Sequence, residues 1–254
     1  MEPVKLTEDI HLYENFISEE ECKSLIKLFE LMIDKNKDYW KSISFYESYS
    51  GMYPEPNDPI LNEVGLSPTW FVDTMNRFKD AAALVANQDS EKMSKISFHM
   101  QRWLPGAFAP KHSDNTSSDG TYGAFTRSRY AGFLYLNDDF DGGLLKFYAE
   151  NGNNIFDVRP KTGSFLIFHG GHKNMHEVTT VLNQPRYTIG SFWDDREESD
   201  YPQETRDAWA KELAEVRAMQ AEQAVEWKDV RDKGLRLTPY GNPVPAADVG
   251  AKDE

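Results

Sequence analysis

The sequence predicts a mainly β protein with flanking helices, built as a jelly-roll core with N-terminal helices packed on it and a C-terminal helix behind. Three observations carry that expectation. Between residues 96 and 193, eight short strand-like runs alternate with turn segments rich in Gly, Asn and Pro. Before residue 90, two stretches repeat apolar residues at helical spacing. After residue 203 the chain turns helix-forming and dense in charge. The 254 residues divide into an N-terminal helical support region (1–95), the β core (96–195), a C-terminal helix (196–235) and a flexible tail (236–254), one structural domain in all.

The elements follow in order. Ser18-Glu19-Glu20-Glu21 is a capping box, in which the serine hydroxyl and the third glutamate satisfy free N–H groups at a helix start. Cys22, Leu25, Ile26, Phe29, Met32 and Ile33 continue it as an amphipathic helix. Residues 42–58, rich in Tyr, Ser and Pro, read as a partly ordered loop. A second helix is expected from Ser67-Pro68, with serine as cap and proline at the first position, and an apolar face of Phe71, Thr74, Met75, Phe78, Ala82 and Val85. Strands are expected at about 96–103, 110–114, 130–137, 144–149, 155–159, 163–168, 176–181 and 186–193. Asp141-Gly142-Gly143, Asn151-Gly152-Asn153, Lys161-Thr162-Gly163 and Asn183-Gln184-Pro185 turn the chain between them. Eight short strands at this spacing suit two Greek keys. From Gln203 to Lys233, Trp209, Leu213, Val216, Trp227 and Val230 fall close to one helical stripe, with Gly234 as C-cap.

Composition narrows the partners. A formal charge of −14 repels a polyanion, so neither nucleic acid nor a membrane surface is expected. The single cysteine, Cys22, forms no internal disulfide and fits a reducing compartment. Met1-Glu2-Pro3-Val4-Lys5 lacks the basic start and apolar core of a secretory signal, and no long apolar run is present. A cytoplasmic protein, monomeric or homodimeric, is the expectation.

Chemistry concentrates in a few residues. His112 and Asp114 sit at i and i+2 in a strand-like run, so both side chains can point at one spot. His176, opening the alternating run His176-Glu177-Val178, would add a second imidazole from a distant strand. Two His and one carboxylate on one face of a metal leave positions open for substrates, the ligand set of non-haem Fe(II) oxygenases. His169 and His172 compete with His176 for that role, and the three alone read as a zinc-like cluster. Gly170-Gly171, however, breaks any helix that would align them. Arg186, ten residues past His176, lies among β-forming and aromatic residues, where a carboxylate-bearing ligand would pair its guanidinium. Residues 115–129, small and polar and beginning at the metal residues, read either as a lid, with Tyr122, Phe125, Arg127 and Arg129 as candidate substrate contacts, or as an ordinary long hairpin connection.

With these motifs in order, the segment from Ile96 to Trp193 resembles the 2-oxoglutarate- and Fe(II)-dependent oxygenases, in the prolyl 4-hydroxylase-like branch. The matching stretches are Trp103-Leu104-Pro105-Gly106 before His112-Ser113-Asp114, Tyr135-Leu136-Asn137-Asp138-Asp139-Phe140 with Gly142-Gly143, Pro160-Lys161-Thr162-Gly163, and His176-Glu177-Val178 with Arg186-Tyr187. Phe16 to Cys22 resembles the family's entry helix. The resemblance implies a double-stranded β-helix with Fe(II) held by His112, Asp114 and His176. It implies 2-oxoglutarate as cosubstrate, with Arg186 on its distal carboxylate and Tyr135 and Thr188 beside it, and O₂ as oxidant; ascorbate enters as a reductant. Trp103 stands where the family often has a tyrosine, and its indole donates but does not accept. The implied reaction hydroxylates a C–H bond, by default of a prolyl residue in a peptide or protein, with succinate and CO₂ as coproducts. Free amino acids or other small metabolites are the alternative substrates. A non-catalytic jelly-roll metal-binding module and a cupin-like metalloenzyme without 2-oxoglutarate are the competing classes.

Overall fold

The computed structural model describes residues 2–35, 40–43, 46–49, 54, 56–117, 119–122, 125–149, 151–211, 214–215, 218, 235–237 and 243–245. In chain order, β1 (Val4–Lys5) and β2 (Ile10–Tyr13) precede α1 (Glu19–Lys35). Then come β3 (Trp40–Ile43), β4 (Tyr46–Tyr49), α2 (Pro59–Val64) and α3 (Trp70–Ala86). The core strands are β5 (Ser94–Trp103), β6 (Ala109–His112), β7 (Tyr130–Tyr135), β8 (Asp141–Gly142), β9 (Leu145–Tyr148), β10 (Asn154–Val158), β11 (Phe165–His169), β12 (Met175–Val178), β13 (Val181–Leu182) and β14 (Arg186–Asp194). β15 (Leu235–Leu237) and β16 (Pro243–Pro245) close the chain.

Two antiparallel sheets form the jelly roll. The major sheet runs β1-β2-β11-β7-β14-β5-β4-β3 and the minor sheet β10-β9-β12-β6. Each of the eight expected strands is present within a few residues of its expected span. Period-two alternation sorts the major sheet's side chains. Phe98 and Met100, Tyr130 and Leu134, Phe165 and Ile167, and Ile189 and Trp193 join α1 and α3 in one buried cluster. Their neighbours Trp103, Ala131, Tyr135, Leu166 and Phe168 face the minor sheet and form a second cluster with Phe147 and Val178. The second cluster is the interior of the roll, and the site is built there.

The helices follow their patterns with one shift. The capping box of α1 forms as expected: Ser18 Oγ accepts from the Glu21 N–H at 3.2 Å, and Glu21 Oε2 accepts from the Ser18 N–H at 2.8 Å. In α3, Phe71, Thr74, Phe78 and Ala82 are buried against the sheet, with Met75 and Val85 at its margin. That helix starts two residues later than Ser67-Pro68 suggests. The Trp70 N–H bonds to the Ser67 carbonyl in a preceding turn, and Thr69 takes the cap position.

Three regions differ from expectation. Residues 1–95 are not only helical. The alternation Ile10-His11-Leu12-Tyr13 makes β2 a member of the major sheet, paired with β11. Inside the expected loop at 42–58 the chain forms the β3–β4 hairpin, which extends the sheet from β5 through Glu47 opposite Arg102 and Ser48 opposite Gln101. The expected flexible tail holds β16, paired with β15. Helix is present over residues 203–211, while Leu213, Val216, Trp227, Val230 and Gly234 lie outside the described residues. Among the described residues no helix is long and apolar enough to cross a membrane.

Candidate metal and cosubstrate site

Strands β6 and β12 lie side by side with His112 directly opposite His176. Their rings are 4.4 Å apart, centroid to centroid. Each imidazole is oriented by a carbonyl two residues earlier: His112 Nδ1 lies 2.6 Å from Pro110 O, and His176 Nδ1 lies 2.9 Å from Asn174 O. A carbonyl only accepts, so both histidines carry their proton on Nδ1 and direct an Nε2 lone pair inward. Asp114 lies just past the end of β6 rather than within a strand, held by its own N–H to Gly170 O at 2.9 Å. Its two oxygens lie 3.8 Å from His112 Nε2 and 3.7 Å from His176 Nε2. The three donor atoms fall within 4.8 Å of one another.

This cluster fits a divalent metal on chemical grounds. Asp114 Oδ2 is buried and has no hydrogen-bond partner. Desolvation pushes the Asp114 carboxyl up to about 6, against the pull of His112. Desolvation, together with His112, pushes His176 down to about 3. Two imidazole lone pairs and a carboxylate without counter-charge, with His176 and Asp114 desolvated, are the deprotonated donors that a bound cation stabilises. The residues that would hold it are His112, Asp114 and His176.

The neighbouring histidines do other work. His169 Nδ1 accepts from the Gly171 N–H at 3.1 Å, and the His169 ring packs edge-on to Tyr130. The His172 ring lies against Gly120. Gly170-Gly171 does more than break a helix. A Cβ on Gly170 would come within 3.0 Å of Asp114 Cβ and 2.9 Å of Ser128 O, so only glycine lets the carboxylate approach.

On the same interior cluster, at the start of β14, stands Arg186. It is 2% exposed, with its guanidinium 4.9 Å from the Trp103 ring and 5.3 Å from the Tyr135 ring. Arg186 Nε and Nη1 have no hydrogen-bond partner, nor does the buried Tyr135 hydroxyl. Desolvation lowers the Arg186 pKa and raises that of Tyr135, and the mutual attraction of the two neighbouring groups opposes both shifts. A buried, unpaired guanidinium is costly, and a ligand carboxylate offsets that cost through two parallel bonds. Gly143, expected only as a turn, also makes room: a Cβ there would meet Arg186 Cδ at 3.1 Å.

Trp103 stacks near Arg186 and Thr188 lies opposite Gln101 and Tyr135, but both direct their hydrogens at Gln101. Trp103 Nε1 donates to Gln101 Oε1 at 3.2 Å and Thr188 Oγ1 donates to the same oxygen at 2.8 Å. Gln101 and its neighbour His99 escaped the sequence reading. The signal for them was available, since His99, Gln101 and Trp103 share one face of β5 by simple alternation.

The segment after Asp114 is tied down at its far end. Arg127 Nε pairs with the fully buried Asp194 at 2.8 Å, and Arg129 pairs with Asp195, which also accepts from Tyr130 OH at 3.1 Å. These ion pairs commit both arginines to the protein. Tyr122 and Phe125 remain exposed, at 41% and 50%, with the Tyr122 ring edge-on to Tyr201.

The jelly-roll fold and the His112–Asp114–His176 cluster can be set beside known proteins. Residues 98–194 match the family described as the 2OG-Fe(II) oxygenase superfamily. The chain is similar to prolyl 3-hydroxylase 3 of Mus musculus, 37% identical over 92 residues, covering 33% of this chain and 12% of that protein. It is similar to 2-oxoglutarate and iron-dependent oxygenase domain-containing protein 3 of Rattus norvegicus, 40% identical over 72 residues, 27% of this chain and 21% of that one. The matched segments thus span a small part of these relatives. Among solved structures, a prolyl-4-hydroxylase of Pseudomonas putida superposes with a TM-score of 0.54 at 17% identity, covering 74% of this chain and 94% of that one. The 2OG complex of the viral collagen prolyl hydroxylase of Paramecium Bursaria Chlorella virus-1 gives 0.50 at 14% identity, covering 74% and 96%. Residues 98–194 are thus similar in sequence to the 2OG-Fe(II) oxygenase superfamily, and the chain shares its fold with these solved prolyl hydroxylases.

Proposed function

We propose that this protein hydroxylates a prolyl residue in a peptide or protein, releasing succinate and CO₂. The observation that carries the reading is Arg186: a buried guanidinium with two open nitrogens in the same interior as the His112–Asp114–His176 cluster. That pairing calls for a ligand with a carboxylate at one end and metal-binding atoms at the other, which is the shape of 2-oxoglutarate. Bound Fe(II), with 2-oxoglutarate and O₂, supplies the oxidising chemistry that breaks the C–H bond. The protein's residues do the rest. His112 and His176 present Nε2 because Pro110 and Asn174 hold their Nδ1 protons. Arg186 fixes the far carboxylate, and Phe147 and Phe168, packed against His176, keep that side dry. Support for a prolyl substrate comes from relatives named prolyl 3-hydroxylases and from the exposed Tyr122 and Phe125, whose faces suit a pyrrolidine ring.

The test is anaerobic titration with Fe(II) and 2-oxoglutarate, followed by mass spectrometry of a panel of prolyl peptides and free amino acids. A charge-transfer absorption is expected that vanishes in His112→Ala and weakens in Arg186→Ala, together with a mass gain of one oxygen on a prolyl peptide. A flat spectrum from folded protein would remove the oxygenase reading. Oxygen gained only by free amino acids would remove the prolyl one.

A further inference from the structure

We propose that Gln101 is a positioning residue for the cosubstrate: it locks the Trp103 indole beneath the Arg186 guanidinium, and it takes the hydrogens of Trp103 and Thr188, leaving Arg186 and Tyr135 to meet the distal carboxylate. The inference rests on the 2-oxoglutarate reading of this pocket and adds a residue to it.

The hydrogen bonds determine one another in sequence. An indole N–H donates and never accepts, so the Gln101 amide must turn its oxygen toward Trp103. Thr188 Oγ1 donates to that same oxygen, which uses both of its lone pairs. The Gln101 NH₂ therefore points the other way, toward His99 Nε2 at 2.7 Å. To receive it, His99 is neutral with its proton on Nδ1. Desolvation, which pushes His99 down to about 4, is consistent with that form. The His99 ring stacks on Phe192, centroids 5.7 Å apart and planes within 11°.

The sheet register builds this chain. Trp103 lies opposite Arg186, Gln101 opposite Thr188 and His99 opposite Gly190. Gly190 provides the room, since a Cβ there would come within 3.0 Å of Gln101 Nε2 and 3.3 Å of His99 Nε2. The consequence for binding is specific. Neither Trp103 nor Thr188 has its hydrogen directed at a ligand. The donors at the pocket end are then the guanidinium edge and the Tyr135 hydroxyl, a set matched to one carboxylate. Gln101 acts on that carboxylate only through the face it holds under Arg186.

The experiment measures 2-oxoglutarate binding to the full chain loaded with Mn(II), by calorimetry without turnover, beside KM and kcat of the Fe(II) enzyme. Gln101→Leu keeps the volume and removes the acceptor. It is expected to weaken binding about tenfold and to raise the KM for 2-oxoglutarate equally, with kcat within about threefold. Trp103→Phe keeps a ring under Arg186 and deletes the N–H, and the double variant is expected to be no weaker than Gln101→Leu alone. Unchanged binding in Gln101→Leu, or effects that multiply in the double variant, would overturn the proposal. Should Gln101→Leu fail to fold, Trp103→Phe with Thr188→Val removes both hydrogens while leaving Gln101 in place, and must reproduce the tenfold loss. Arg186→Ala separates the two levels. If it weakens binding while the Gln101 variants do not, this inference alone fails. If wild type does not bind 2-oxoglutarate, the reading beneath it fails.

Discussion

The two ends of the interior are built on opposite plans. At the metal corner, each histidine is aimed by a carbonyl two residues back along the chain, and the carboxylate follows the first histidine by two positions. At the carboxylate end the register across strands sets the geometry, Arg186 with Trp103 and Thr188 with both Gln101 and Tyr135, while Trp103, Gln101 and His99 bond along β5. Both ends hold a desolvated charge-bearing group without a partner, Asp114 Oδ2 at one and Arg186 Nε and Nη1 at the other. Among the described residues the two do not pair with each other. An interior that holds an unpaired acid and an unpaired base apart is poorly arranged for stability and well arranged for a ligand that satisfies both.

That contrast predicts different failures. Breaking the metal corner has the largest effect. Asp114→Ala is expected to lower turnover by about 10³ or more, equivalent to at least about 4 kcal/mol of lost transition-state stabilisation. The metal-free chain should lose no stability, because the change removes a buried carboxyl with an unsatisfied oxygen. Turnover and thermal melting on chelator-treated protein check both halves. Turnover within tenfold of wild type would show that the metal sits elsewhere.

Breaking the other end should cost less and leave the metal in place. Arg186→Lys retains the charge but loses the planar fork that two parallel bonds require. Affinity for 2-oxoglutarate is expected to fall about 10–100-fold, in line with roughly 1.5–3 kcal/mol for a charge-assisted bond. Mn(II) binding measured without cosubstrate should not change. Joint loss of metal and cosubstrate affinity would mean that the two ends are not independent.

The same contrast explains what could be read from the sequence. The metal corner was legible because its geometry is local: His112 and Asp114 are two apart, and His176 begins an alternating run. The eight strands were legible because Gly, Asn and Pro mark each turn. Arg186 stood out as a charge among β-forming residues. The β3–β4 hairpin was hidden in a polar stretch whose pairing is decided by the edge of β5, and β2 is only four residues long. Gln101 and His99 were on the right face of β5, but their meaning lies in the register with Thr188 and Gly190, and register is set by the whole sheet. Arg127 and Arg129 looked like open contacts until Asp194 and Asp195, over sixty residues later, were folded beside them.

The smallest effect is also the most diagnostic of the carboxylate end. His99 retains some accessible surface, yet its pKa is pushed down by desolvation from 6.5 to about 4. Above pH 6.5 the ring is neutral folded and unfolded alike, and its contribution is fully present. Between pH 6.5 and 4 the unfolded chain takes up a proton that the folded chain refuses, so stability falls as pH falls through that window. His176, His11 and His169 are lowered too and steepen the same slope. Asp114, raised to about 6, opposes it by taking a proton in the folded state first. Replacing His99 with Asn removes one titrating group and leaves the others. Metal-free wild type should lose roughly 1–2 kcal/mol more than His99→Asn between pH 7 and 5, the partial exposure of the ring holding the figure below the full shift. Urea midpoints at the two pH values check it. Equal slopes would mean that His99 takes up a proton in the folded protein, and a protonated ring cannot accept from the Gln101 amide that holds Trp103 in place.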